Sequence, residues 1–176
     1  DGGVVNEFGM VMRQGPLYME VIDARLEDVS SVEEVERFPF PDPLADGRYD
    51  DAQRLIAAYG DDYFVIGDLE LTTFEMAWHM VGLEKFMIDL AMDEPYVGAL
   101  LDRTMAFSLG VGKQLVALGV DGIWAGDDFG AQHGMLLSPR RTAQAAADAG
   151  ALAGARKLCP GGGGTVAATT AATDYV

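Results

Sequence analysis

Two adjacent carboxylates (Asp127, Asp128), an amide (Gln132) and an imidazole (His133) share the short stretch Gly126-Asp127-Asp128-Phe129-Gly130-Ala131-Gln132-His133-Gly134. These side chains could accept and donate hydrogen bonds to a polar ligand and move a proton near neutral pH. Asp127 and Asp128 are not a ready-made acid/base pair. Neighbouring residues on an extended backbone point to opposite sides, so one faces a pocket while the other braces the loop. We therefore take Asp127 and Asp128 as candidate catalytic residues. Gln132 and His133 are candidate substrate-binding residues, and so are Asp68, at the end of a second apolar run, and Trp78. His79, beside Trp78 in an apolar stretch, reads as a satisfied core histidine. No His-x-Cys or Cys-x-x-Cys spacing points to a metal site, and the phosphate loop, the dinucleotide fingerprint and the Gly-x-Ser-x-Gly elbow are all missing from the sequence.

The elements that must carry these residues read as strand, helix, helix, strand, loop, helix. Tyr63 to Ile66 is a short apolar run, expected as a buried strand leading to Gly67-Asp68. Thr72 with Glu75 forms a capping box for a helix expected to run unbroken to about Met92, apolar almost all round and hence buried. Asp93-Glu94-Pro95 opens the next helix, with Asp93 as N-cap, and Gly119 ends it. A strand from Val120 feeds the acidic loop, and Ser138-Pro139 starts a further helix. Residues at the carboxyl end of a parallel strand line the functional face of an α/β fold.

Upstream, Val4 to Met12 and Leu17 to Ile22 read as extended segments around a Gly15-Pro16 turn. Ser31-Val32-Glu33-Glu34 is a capping box for a short helix that stops before Pro39. Phe38 to Pro43 reads as a proline-stiffened connection, and Asp50 to Tyr59 as a helix closed by Gly60 in the C′ position. Residues 141–176 are rich in Ala and Gly and poor in large apolar residues. They are expected to be a disordered or frame-shifted tail.

The chain has 176 residues, of which 49% are hydrophobic, enough for a sizeable core. Its formal net charge of −16 makes nucleic acid and anionic membranes poor partners. No apolar run is long enough for a membrane span. The single cysteine, Cys159, excludes an internal disulfide framework and points to a cytoplasmic protein.

Several segments together resemble the uroporphyrinogen decarboxylase superfamily. Val5-Asn6-Glu7-Phe8-Gly9 is similar to its V-D-E-F-G segment, with Asn6 in place of Asp. Glu36-Arg37-Phe38-Pro39-Phe40-Pro41-Asp42-Pro43 resembles E-R-Y-P-W-P-D-P. Gly67-Asp68 through Phe74-Glu75-Met76-Ala77-Trp78 and Gly82 is similar to the strand-to-helix step that builds the family's pocket. Gly126 to Gln132 with Leu137-Ser138-Pro139 resembles G-D-D-x-G-x-Q followed by I-S-P. The resemblance covers about residues 4 to 140. It implies a (β/α)₈ TIM-type barrel, of which residues 1–140 would be an incomplete middle portion, since a whole barrel takes roughly 250 residues.

The resemblance implies one of two chemistries. One branch transfers methyl groups between a corrinoid-carrying partner protein and a folate or thiol; its thiol-using members hold zinc through a late His-x-Cys, which nothing here matches. The other decarboxylates uroporphyrinogen III in tetrapyrrole (haem) biosynthesis without a cofactor. The G-D-D-x-G-x-Q form looks more like the methyltransferases. Trp78 stands where the decarboxylases carry Tyr, and paired aspartates suit a polyanionic macrocycle poorly. The expectation is a corrinoid-linked methyltransferase. Uroporphyrinogen III decarboxylase, or an inactive fragment or corrinoid-protein binding module, are the alternatives. No cofactor or metal site is expected in this segment itself; the resemblance implies either a zinc segment elsewhere in a full-length parent or a folate-type member that needs none. The partners implied are a corrinoid protein or a small-molecule substrate, and the resemblance allows a homodimer.

Overall fold

The structure, a computed structural model, describes residues 2–128 and, for the backbone alone, residues 130, 131, 134 and 135. The fold is mixed α/β, with five helices and three small sheets among the described residues. The chain divides into two compact units: residues 1–42 with 72–107, and residues 43–71 with those from 108 onward.

The first unit opens with an antiparallel sheet of β1 (Val4–Val5), β2 (Val11–Gln14) and β3 (Met19–Asp23). Asn6 makes the first turn: its side-chain oxygen accepts the N–H groups of Phe8 and Met10 at 3.1 and 3.0 Å. Helix α1 (Val32–Arg37) starts where the capping box places it. The Glu34 carboxylate accepts the N–H groups of Ser30 and Ser31 at 2.8 and 3.0 Å. These bonds, the Ser30 N–H first, hold its pKa below the usual carboxylate value. The proline-stiffened segment after α1 is also anchored by packing. Phe40 meets Phe8 edge-on, with ring centroids 6.2 Å apart, and the Arg103 guanidinium lies 4.6 Å from the Phe40 ring centre.

The long apolar helix expected from Thr72 to Met92 is two helices. α2 spans Phe74–Val81 and α3 spans Leu83–Ala91, broken at Gly82, whose φ of +94° lies outside the helical region. Thr73, not Thr72, occupies the N-cap position. The pair is not buried all round either. Phe74, Ala77, Met80, Val81, Phe86 and Leu90 face the core, whereas Leu83, Ile88 and Met92 are exposed. The buried Thr104 hydroxyl donates to the Thr73 carbonyl at 3.0 Å, tying α4 (Pro95–Leu118) to the start of α2. Helix α4 begins at Pro95, and Asp93 is left-handed at φ +59° rather than an N-cap. It ends as expected before Gly119, at φ +100°.

The second unit contains the helix Asp50–Tyr59, the strands β4 (Ile66–Leu69) and β5 (Gly122–Ala125), and residues 108–118 of α4. The helix closes on Gly60, but that residue stays right-handed at φ −63°, so it is not a left-handed C′ glycine. Strand β4 starts later than the apolar run suggests. Tyr63 and Phe64 are exposed and precede it, and Asp68 lies within the strand. Strands β4 and β5 pair in parallel, with Ile66 opposite Gly122, Gly67 opposite Ile123, Asp68 opposite Trp124 and Leu69 opposite Ala125. A small core of Tyr49, Leu69 and Leu115, joined by Val111, Leu118, Val120 and Ile123, covers one face of the pair. Gly67 makes this packing possible: a Cβ there would stand 2.9 Å from Ile123 Cδ1 and 3.0 Å from Leu115 Cδ1. Beyond β5, the backbone of β6 (Gly130–Ala131) pairs antiparallel with β7 (Gly134–Met135). The helix expected after Pro139 and the tail 141–176 lie outside the described residues.

Among the described residues no helix is long and apolar enough to cross a membrane.

Candidate functional site

Register is what assembles the site. At the start of the parallel pair, the Val65 N–H donates to Asp121 Oδ2 at 2.8 Å, and the Asp121 N–H donates back to the Val65 carbonyl at 2.8 Å. This reciprocal pair fixes which residues stand opposite one another. Three residues further along both strands, Asp68 and Trp124 are register partners. Partners in a parallel ladder share a face. On β4 exposure alternates, with Ile66 56% exposed, Asp68 exposed, and Gly67 and Leu69 buried; on β5 Gly122 is buried, Trp124 is 52% exposed and Ala125 is exposed as well.

The side chains on this face are held in place. Asp68 Oδ1 accepts the Glu70 N–H at 3.0 Å, an Asx-type turn that orients the carboxylate one residue before the strand ends. Leu71, just beyond, is left-handed at φ +59°, a conformation that costs a non-glycine residue about 1–3 kcal/mol. The Trp124 indole lies against the backbone of Gly126, where a Cβ would stand 3.1 Å from the ring atom Cη2. A Cβ at 126 would require the ring to shift by a few tenths of an ångström. Asp127 and Asp128 follow at once, Asp127 partly buried and Asp128 exposed.

The candidates named from sequence fall in different units. Asp68, Asp127 and Asp128 belong to the second unit, and Trp78 belongs to the first, where its ring meets that of His79 at 3.9 Å. Gln132 and His133 lie outside the described residues. His79 is not the satisfied histidine that its setting suggests. Its Nδ1 is buried with no hydrogen-bond partner, and burial lowers its pKa. The residue that sequence reasoning missed is Trp124. The signal was present in the spacing: once Val65 stands opposite Asp121, the same offset sets Asp68 opposite Trp124.

No protein-family model, curated protein or solved structure matches this chain.

Two shallow clefts lie in the first unit. One, of about 360 Å³, is lined by Asp23 to Val29 and Glu34; the other, of about 560 Å³, follows the Gly82 break and includes Leu83, Lys85, Ile88 and Asp89. Lys85, Asp89 and Tyr96 form a closed cluster beside the second. The Asp89 carboxylate accepts from both the Lys85 ammonium and the Tyr96 hydroxyl, and Lys85 lies 3.1 Å from that hydroxyl. Burial, then the bond to Asp89, pushes the Tyr96 phenol up to about 12, and the bond from Lys85, then that from Tyr96, holds Asp89 below its usual value. A phenol this hard to ionise and a lysine kept cationic suit structure better than proton transfer.

Among the described residues no three His, Cys, Asp or Glu side chains gather to hold a metal ion.

Proposed function

We propose that the chain is part of a (β/α)₈ barrel of the uroporphyrinogen decarboxylase superfamily, and that its parent protein transfers a methyl group between a corrinoid-carrying partner and a folate or thiol acceptor. The observation that carries this reading is the register pair Asp68–Trp124. It lies on the uncovered face of two parallel strands, with Asp127 and Asp128 directly after the second strand. In a barrel, helices cover the outer side of each strand and catalytic residues sit at the carboxyl ends. A two-stranded parallel pair with helix α4 against one face and polar residues at the ends of the other is what two neighbouring barrel strands would look like.

On this reading Asp68 accepts a hydrogen bond from the bound molecule, while Asp127 and Asp128 position the methyl acceptor together with Gln132. The chemistry of the transferred methyl group belongs to the corrinoid on the partner protein. This chain contributes binding, orientation and fixed negative charge. The described residues do not fit a zinc centre, and the proposal takes no step through zinc. Methyl transfer is favoured over uroporphyrinogen decarboxylation because the two strand-and-loop segments, 65–71 and 120–128, contain five carboxylates and no Lys, Arg or His to hold an anionic macrocycle.

The test is incubation of the full-length parent with a methylated corrinoid protein and either tetrahydrofolate or a thiol. Demethylation of the corrinoid supports the proposal. Coproporphyrinogen formation from uroporphyrinogen would establish the decarboxylase instead.

A further inference from the structure

The face of β4 and β5 that carries Asp68 and Trp124 combines an exposed aromatic residue with a carboxylate. Trp124 presents half of its surface to solvent and is seated against Gly126. Asp68, its register partner, is turned by its bond from the Glu70 N–H. Ile66 adds an exposed apolar side chain on the same face. The charge of the surrounding segments has one sign: Asp68, Glu70, Asp121, Asp127 and Asp128, with no basic residue in 65–71 or 120–128. Asp121 is engaged at the far end of the strands with the Val65 N–H.

We infer that this face binds an organic cation, specifically an alkylated ammonium group that rests on the Trp124 indole with Asp68 beside it. The negative face of an indole attracts a cation, and methylated ammonium groups are recognised in this way because their methyls also make apolar contact. A carboxylate next to the ring adds Coulomb attraction and disfavours anions. Bare metal ions are poorer occupants, because among the described residues no three potential ligands gather to hold one.

The inference goes beyond the methyl-transfer reading, whose folate or thiol acceptor is not an organic cation, and the binding is a property of the two strands.

The test is a ligand-observed NMR titration of the full chain with choline, and with 3,3-dimethylbutan-1-ol as its uncharged isostere. Choline is expected to bind at least tenfold more tightly than the isostere. Asp68→Asn should remove most of that preference, and Trp124→Leu should abolish binding of both. Circular dichroism and melting curves establish that the variants fold, and the comparison of the two ligands on the unaltered chain stands even if a variant does not. Equal affinity for the two ligands, or no binding of choline, would overturn the inference. Methyl transfer by the parent without choline binding would remove the inference and leave the methyltransferase. Choline binding without methyl transfer in the parent would do the reverse.

Discussion

Asp68 and Trp124 are opposite one another in the parallel ladder of β4 and β5, on the face that the Tyr49–Leu69–Leu115 core leaves uncovered. They are 56 positions apart in the chain, as are Val65 and Asp121, whose reciprocal hydrogen bonds set the register. A one-residue slip would turn Asp68 into the apolar core and Gly67 outward.

The acidic loop separates function from stability. Asp128 is exposed, so Asp128→Asn should move stability by no more than about 0.5 kcal/mol. If the loop positions the methyl acceptor, the same change should lower methyl transfer by the parent about 100-fold or more. Paired measurements of melting temperature and turnover decide this. A large drop in melting temperature would assign Asp128 to structure.

Gly67 packs closely against the ends of the Ile123 and Leu115 side chains. Gly67→Ala should destabilise the chain by about 1 kcal/mol, because the new methyl meets Ile123 and Leu115, and Gly67→Val by about 1–3 kcal/mol. Reduced unfolded-state entropy favours Ala by about 0.4–1 kcal/mol, which keeps the first figure small. Denaturant unfolding measures both. A Val variant as stable as the parent chain would contradict the close approach of α4 to β4.

His79 should make stability depend on pH. Its pKa is lowered by burial, so the unfolded chain binds the proton more readily. The contribution is fully present above the unfolded value of about 6.5 and is lost as pH falls through the folded value. His79→Phe should flatten the stability profile below about pH 6.5. Identical profiles for the two proteins would show that burial of His79 leaves its titration unchanged.

The Lys85–Asp89–Tyr96 cluster acts at the two ends of the pH scale. The lowered pKa of Asp89 gives stability that is present above its unfolded value and lost as pH falls through the folded one. The phenol, raised to about 12, gives stability that is complete below its unfolded value near 10 and lost as pH rises towards 12. Tyr96→Phe should cost about 1 kcal/mol at neutral pH and remove the alkaline loss. Unfolding curves at neutral and alkaline pH compare the two proteins, and an unchanged alkaline limb would exclude the phenol as its source.

Local signals in the sequence were read well where the physics is local. The Ser31–Glu34 box, the extent of Asp50–Tyr59 and the stop at Gly119 all depend on a few neighbouring residues. The break at Gly82 was hidden because the residues on both sides are apolar and helix-compatible, and only the φ of one glycine separates the two helices. The start of β4 was misplaced because Tyr63 and Phe64 are apolar but exposed, so hydrophobicity did not report burial. Asp68 and Asp127 were found as residues near strand ends. Trp124 was not, because its significance lies in a partner on another strand.

We propose methyl transfer at the carboxyl ends of these strands. Its most direct test is a single-turnover assay of the full-length parent and its Asp68→Asn variant, each mixed with a methylated corrinoid protein and tetrahydrofolate or a thiol. Corrinoid demethylation by the parent is expected, with at least a tenfold slower rate for the variant at unchanged melting temperature. No demethylation by the parent, or equal rates for the two proteins, would contradict it.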